Sequence, residues 1–76
     1  MNPGDLVKLA GYEGIPIIGI RRERGLSRGI SVQRGSLAVV VAVEPADLHG
    51  RQDIGILVDG ELLWIARGFL NPMQPT

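Results

Sequence analysis

The stretch Asp53-Ile54-Gly55-Ile56-Leu57-Val58-Asp59-Gly60-Glu61-Leu62-Leu63-Trp64-Ile65-Ala66 decides the fold. Two runs rich in aliphatic residues flank an Asp-Gly pair. That pair suits the type I′ turn, which needs positive φ at both central residues and whose twist matches the strands it joins. A two-residue turn fixes the register: Val58 faces Glu61, Leu57 faces Leu62, Ile56 faces Leu63, Gly55 faces Trp64 and Ile54 faces Ile65. Side chains alternate along a strand, so Ile54, Ile56, Val58, Leu63 and Ile65 share one face, while Leu57, Leu62 and Trp64 share the other. Gly55 opposite Trp64 leaves space for the indole to lie across the strand pair. Leu62, Ile65, Ala66 and Phe69 also follow helical spacing, but Gly68, the short length and the Asp-Gly turn favour a strand.

Upstream, Leu37, Val39, Val41 and Val43 alternate with the smaller Ala38 and Ala42. This alternation predicts a strand whose larger residues face the core. Glu44-Pro45 ends it, and Ala46 to Gln52 connects it to the hairpin. Near the start, Gly4 to Ala10 reads as a first strand with Val7 and Leu9 on one side and Lys8 on the other. Ile15 to Ile20 is apolar enough for another strand, which Pro16 restricts to an edge or a strand start. The predicted core is Val7, Leu9, Leu37, Val39, Val41, Val43, Ile54, Ile56, Val58, Leu63 and Ile65. Downstream, Gly68 to Pro72 reads as a short turn or one-turn 3₁₀ element closing the core with Phe69 and Leu70, and the tail Met73 to Thr76 has little to hold it.

The segment Arg21 to Arg34 (RRERGLSRGISVQR) lacks a sustained apolar period of either kind, and Gly25 and Gly29 argue against a helix. It predicts a long exposed loop or a mobile hairpin, and loops of that length in small domains tend to be functional or disordered. Charge is concentrated here. Arg21, Arg22, Arg24, Arg28 and Arg34 stand against Glu23 alone, a local net of +4, whereas residues 35–76 carry a net of −3 and the whole chain is neutral.

Seventy-six residues make one domain spanning 1–76, and a chain of this size buries only about 60% of its unfolded surface. With no cysteine, there are no disulfides, no thiolate metal sites and no cysteine nucleophile, so stability rests on packing, with self-association as an added source of buried area. The opening Met1-Asn2-Pro3-Gly4-Asp5 has neither a basic nor an apolar signal region, and no apolar run reaches membrane-spanning length. A soluble, cytoplasmic protein is the expectation.

The order GDLVKL, a variable segment, VQRGSLAVVVAV, a connector and ILVDGELLWI followed by GFL resembles the small barrels of the Src-homology-3-like type. It is also similar to short bacteriophage-encoded proteins that open with Gly-Asp-Leu-Val and close on a valine-rich strand, an Asp-Gly turn and an aromatic strand, which implies a place in the cytoplasm of an infected host or in the virion. The resemblance implies an all-β, five-stranded Src-homology-3-like barrel with a long arginine-rich loop and a C-terminal 3₁₀ turn. Its more distant likeness to KOW-type domains implies nucleic-acid binding, although Ala38 stands where those domains place a second glycine after the first, here Gly35.

Chemistry-bearing constellations are absent from the sequence. His49 is the only histidine and has no carboxylate partners at metal-ligand spacing, and Ser27, Ser31 and Ser36 lack a nucleophile-elbow context. Neither a phosphate-binding G-x-x-x-x-G-K-[ST] nor a strand-bound G-x-G-x-x-G occurs. The expectation is a non-enzymatic module without cofactor or metal. It would bind another protein or a second copy of itself through Leu57, Leu62 and Trp64. The alternative is a nucleic-acid-binding barrel using Arg21, Arg22, Arg24, Arg28 and Arg34, whose planar donor forks suit phosphate. No aromatic residue is interleaved with those arginines to stack a base.

Overall fold

The computed structural model describes residues 1–73. Among them seven strands form: β1 (Leu6–Leu9), β2 (Ile17–Glu23), β3 (Leu26–Val32), β4 (Leu37–Val43), β5 (Asp53–Val58), β6 (Glu61–Ala66) and β7 (Leu70–Pro72). One 3₁₀ turn, Arg67–Phe69, separates β6 from β7. The strands make one antiparallel sheet in the order β3-β2-β6-β5-β4-β1-β7. The sheet is open, with β3 and β7 as its edges, and it curls strongly. A Cβ added to Gly11 would sit 3.3 Å from Ile17 at the start of β2 and 3.4 Å from Phe69 just before β7, so opposite ends of the strand order meet over one core.

The β5–β6 hairpin has every pairing its turn dictates, from Val58↔Glu61 to Ile54↔Ile65. Asp59 (φ +50°) and Gly60 (φ +77°) both take the positive φ of a type I′ turn. The helical alternative for residues 61–70 reduces to the 3₁₀ turn, after which Leu70 is buried and Asn71 pairs with Lys8 of β1. Met73 donates its backbone N–H to the carbonyl of Leu6, and the rest of the tail, residues 74–76, lies outside the described residues.

Three expectations need correction. Of the loop and the hairpin expected for the arginine-rich segment, the hairpin forms and the loop is corrected: residues 17–32 make the β2–β3 hairpin, closed by Arg24-Gly25 with Gly25 at φ +67° and Glu23↔Leu26 as the pair beside the turn. Its pattern hides the strands because the outer half of an edge hairpin has two wet faces and needs no apolar side. Seven strands replace five, the additions being β3 and the short β7.

The third correction concerns β4. Leu37, Val39 and Val41 are exposed, and Ala38 and Val40 are buried. Register explains the reversal. Val40 pairs with Ile56 and Val43 with Ile54, both core positions, while Val41 is the unpaired residue of a β-bulge between Val40 and Ala42. The extra residue lets Val40 and Val43 both point inward despite an odd separation. The core is Val7, Leu9, Ile17, Ala38, Val40, Ile54, Ile56, Val58, Leu63, Ile65 and Leu70, with Met1, Ile30, Val32, Val43 and Phe69 packed against it.

Candidate interaction surface

The convex face of the sheet carries an apolar row that register alone assembles. Leu6 pairs with Val39, Val39 with Leu57, and Leu57 with Leu62, so one residue from each of β1, β4, β5 and β6 lines up across the strands. At about 4.8 Å per strand the row is roughly 14 Å long. Its members are 42%, 39%, 44% and 46% exposed. Leu37 and Val41, also exposed, extend it along β4. None of the six is polar, and the nearest charge in register is Lys8, opposite Leu37. Isolated surface leucines are ordinary, whereas soluble monomers seldom leave a contiguous apolar block open. Hairpin register in the sequence finds Leu57 and Leu62 but not Leu6, Leu37, Val39 and Val41: strand alternation places the last three in the core and gives Leu6 no face.

Trp64, expected in the same patch, lies one row away and is covered. Its ring packs on Gly55, where an added Cβ would come within 3.1–3.3 Å of three indole carbons. The guanidinium of Arg22 sits over the other side, 4.0 Å from the ring centroid. Arg22 donates to both carboxylate oxygens of Glu44, at 2.7 and 3.1 Å, and lies 3.8 Å from Asp53. These hydrogen bonds hold the Glu44 carboxyl below its ordinary range and raise the Arg22 guanidinium above its own. Arg22 therefore ties the β2–β3 hairpin to the ends of β4 and β5, at a place where β2 and β6 share only the Ile20↔Trp64 register pair.

The five arginines do not form one cluster: Arg21 and Arg28 are register partners across β2–β3, and the other three lie apart from them. Arg21, on the opposite face of β2 from Arg22, donates to Glu61 at 3.2 Å. Its Nε lies 2.9 Å from Glu23 Oε1 but is not aligned for a hydrogen bond. Arg24 is in the turn, Arg28 on β3 and Arg34 beyond the far end of that strand, roughly 20 Å away along the extended chain. Arg24, Arg28 and Arg34 are exposed and form no ion pair among the described residues.

Elsewhere, Asp47 closes its own turn, its Oδ1 accepting the backbone N–H groups of His49 (2.9 Å) and Arg51 (2.8 Å). Among the described residues, no three His, Cys, Asp or Glu side chains group to hold a metal, and no helix is long and apolar enough to cross a membrane. No family model matches the chain, and no curated protein or solved structure matches it.

Proposed function

We propose that the chain is a non-enzymatic, Src-homology-3-like interaction module that self-associates through the row Leu6, Val39, Leu57 and Leu62. The observation that carries this reading is the row itself: four apolar residues on four adjacent strands, aligned by register and exposed. The Src-homology-3-like assignment is supported by the order β7-β1-β4-β5-β6, with the β2–β3 hairpin as an excursion after the first strand and the 3₁₀ turn before the last. A second copy suits the row because the chain is neutral overall and the row carries no charge, so two identical faces meet without repulsion. A row of four side chains is small beside the roughly 20–30 residues that each partner contributes to a stable interface, so association is weak and depends on concentration.

Sedimentation velocity between about 10 μM and several hundred μM tests this, the range in which an association of about −5 to −7 kcal/mol is half complete. The parent's weight-average mass rises across this range, and the double variant Leu57→Glu with Leu62→Glu associates measurably less while keeping the parental circular dichroism. A parent that is monomeric throughout, or a double variant that associates as well as the parent, overturns the reading. The nucleic-acid alternative has less support, because Arg21 and Arg22 are already committed to carboxylates within the chain. Salt-sensitive binding of a short single-stranded oligonucleotide, weakened by Arg24→Gln and Arg28→Gln, would restore it.

A further inference from the structure

The edge strand β3 is self-complementary. Glu23 and Leu26 flank a two-residue turn and so form a hydrogen-bonded pair. Alternation then directs the backbone N–H and C=O groups of Leu26, Arg28, Ile30 and Val32 toward β2, and those of Ser27, Gly29 and Ser31 away from the sheet. The same parity turns the groups of Ile20 toward β6, where it is paired with Trp64. Among the described residues, no strand lies beyond β3, and none of Ser27, Gly29 or Ser31 bonds to backbone elsewhere. Seven residues of unpaired edge, without proline or a bulge, form a template for another strand.

We propose that two copies pair antiparallel through β3, with the two-fold axis at Gly29. In that register Gly29 meets Gly29 of the second copy, Ser27 meets Ser31, Arg28 meets Ile30 and Leu26 meets Val32. The hydrogen-bonding parity agrees: the three outward residues oppose outward residues and exchange six backbone hydrogen bonds across the axis. The side chains agree as well. Serine faces serine, and Leu26, 59% exposed in the single chain, gains an apolar partner in Val32. Centring on Arg28 would instead set Arg28 against Arg28, a like-charge pair that disfavours the shifted alignment. This edge contact is independent of the convex row. A molecule using both has two different two-fold contacts and builds assemblies larger than a dimer.

The chain contains no cysteine, which makes a crosslinking test clean. Opposed hydrogen-bonded residues have Cα atoms about 5.5 Å apart, within disulfide range. Positions 27 and 31 of one chain are roughly 13 Å apart along an extended strand, so they bridge only between copies. Under mild oxidation the Ser27→Cys/Ser31→Cys double variant forms a covalent dimer, and neither single variant does. The same experiment on a Leu57→Glu/Leu62→Glu background gives the same dimer, which separates this contact from the one proposed above.

Amide exchange in the parent provides a second readout that needs no variant. Ser27, Gly29 and Ser31 slow on the order of tenfold at concentrations where about nine in ten molecules are paired, whereas Arg28 and Ile30 exchange alike at all concentrations. Ser31→Pro removes one outward N–H without touching the bonds to β2, and abolishes that slowing. Failure of the double variant to crosslink, equal crosslinking by either single variant, or concentration-independent exchange at the three amides overturns the proposal.

Discussion

The two hairpins of this protein use the same device and teach different things. Both have two-residue turns ending in glycine, Asp59-Gly60 between β5 and β6 and Arg24-Gly25 between β2 and β3. The first lies in the middle of the sheet and contributes Ile54, Ile56, Val58, Leu63 and Ile65 to the core. The second lies at the edge and contributes only Ile17 among fully buried hydrophobics, with Ile30 and Val32 partly covered. Burial on one face imposes the alternation that makes a strand recognisable. At the edge, backbone pairing alone is enough, and the sequence is free to carry arginine, serine and glycine.

The largest effect should separate the hairpins by stability. Ile56→Ala empties a fully buried site between β4 and β6 and should cost about 2–5 kcal/mol, a large part of what a domain this size possesses. Ile30→Ala, on the partly covered β3, should cost well under half as much. Urea denaturation of the two variants measures the gap, and equal losses would mean the edge hairpin is as integral to the core as the central one.

A step down in size, β4 tests how the central hairpin orients its neighbour. Val40→Ala removes two buried methyl groups and should cost about 1.5–3 kcal/mol, whereas Val41→Ala, at the exposed bulge, should stay within about 0.5 kcal/mol. Comparable losses at the two positions would place the bulge elsewhere.

The β4 case also shows where sequence reading stops. The turn chemistry of Asp59-Gly60 specifies every pair of β5–β6, from Val58↔Glu61 outward, because both residues and loop length are local information. The face of β4 is not local: alternation alone gives two candidate faces, and choosing the bulkier one put Leu37, Val39 and Val41 inside. Curvature of the sheet and the bulge at Val41 decide otherwise, since small Ala38 fits the crowded interior and the larger side chains spread on the convex side. The candidate surface inherited the error. Leu57 and Leu62 were readable from the hairpin, but the row emerges only once Val39 is known to face outward. Trp64 on Gly55 was legible in the pairing, whereas the Arg22 cover depends on the β2–β6 contact between distant segments.

Glycine substitutions sharpen the contrast within the edge hairpin itself. An added Cβ would meet Leu63 Cβ at 3.0 Å from Gly19 and Ile18 Cγ2 at 3.0 Å from Gly29. Leu63 is held fully buried near its backbone, so Gly19→Ala should destabilise by about 1–3 kcal/mol. Ile18 is half exposed and free to rotate, so Gly29→Ala should be near neutral, reduced unfolded-state freedom offsetting the contact. Thermal melts of the two variants give the answer, and a larger loss at Gly29 would show that the edge is packed more rigidly than its exposure implies.

The smallest expected effect lies where the two hairpins are joined. Arg22 reaches from β2 across Trp64 to Glu44 and Asp53, and both it and Glu44 are open enough to water for the pair to be strongly screened. The measurable consequence is a titration. The hydrogen bonds from Arg22 lower the Glu44 carboxyl in the folded state, so folding is favoured above the ordinary carboxylate range and that contribution is lost as pH falls through the lowered folded value. Carbon-detected NMR of the Glu44 carboxyl should find it titrating below its ordinary value, moving back up in Arg22→Gln. The same variant uncovers the indole, so Trp64 fluorescence should shift to longer wavelength and become more accessible to a neutral quencher. A Glu44 titration unmoved by Arg22→Gln would mean the guanidinium is not held over the tryptophan in solution, leaving the edge hairpin tied to the centre of the sheet by the Ile20↔Trp64 pairing and the Arg21–Glu61 ion pair.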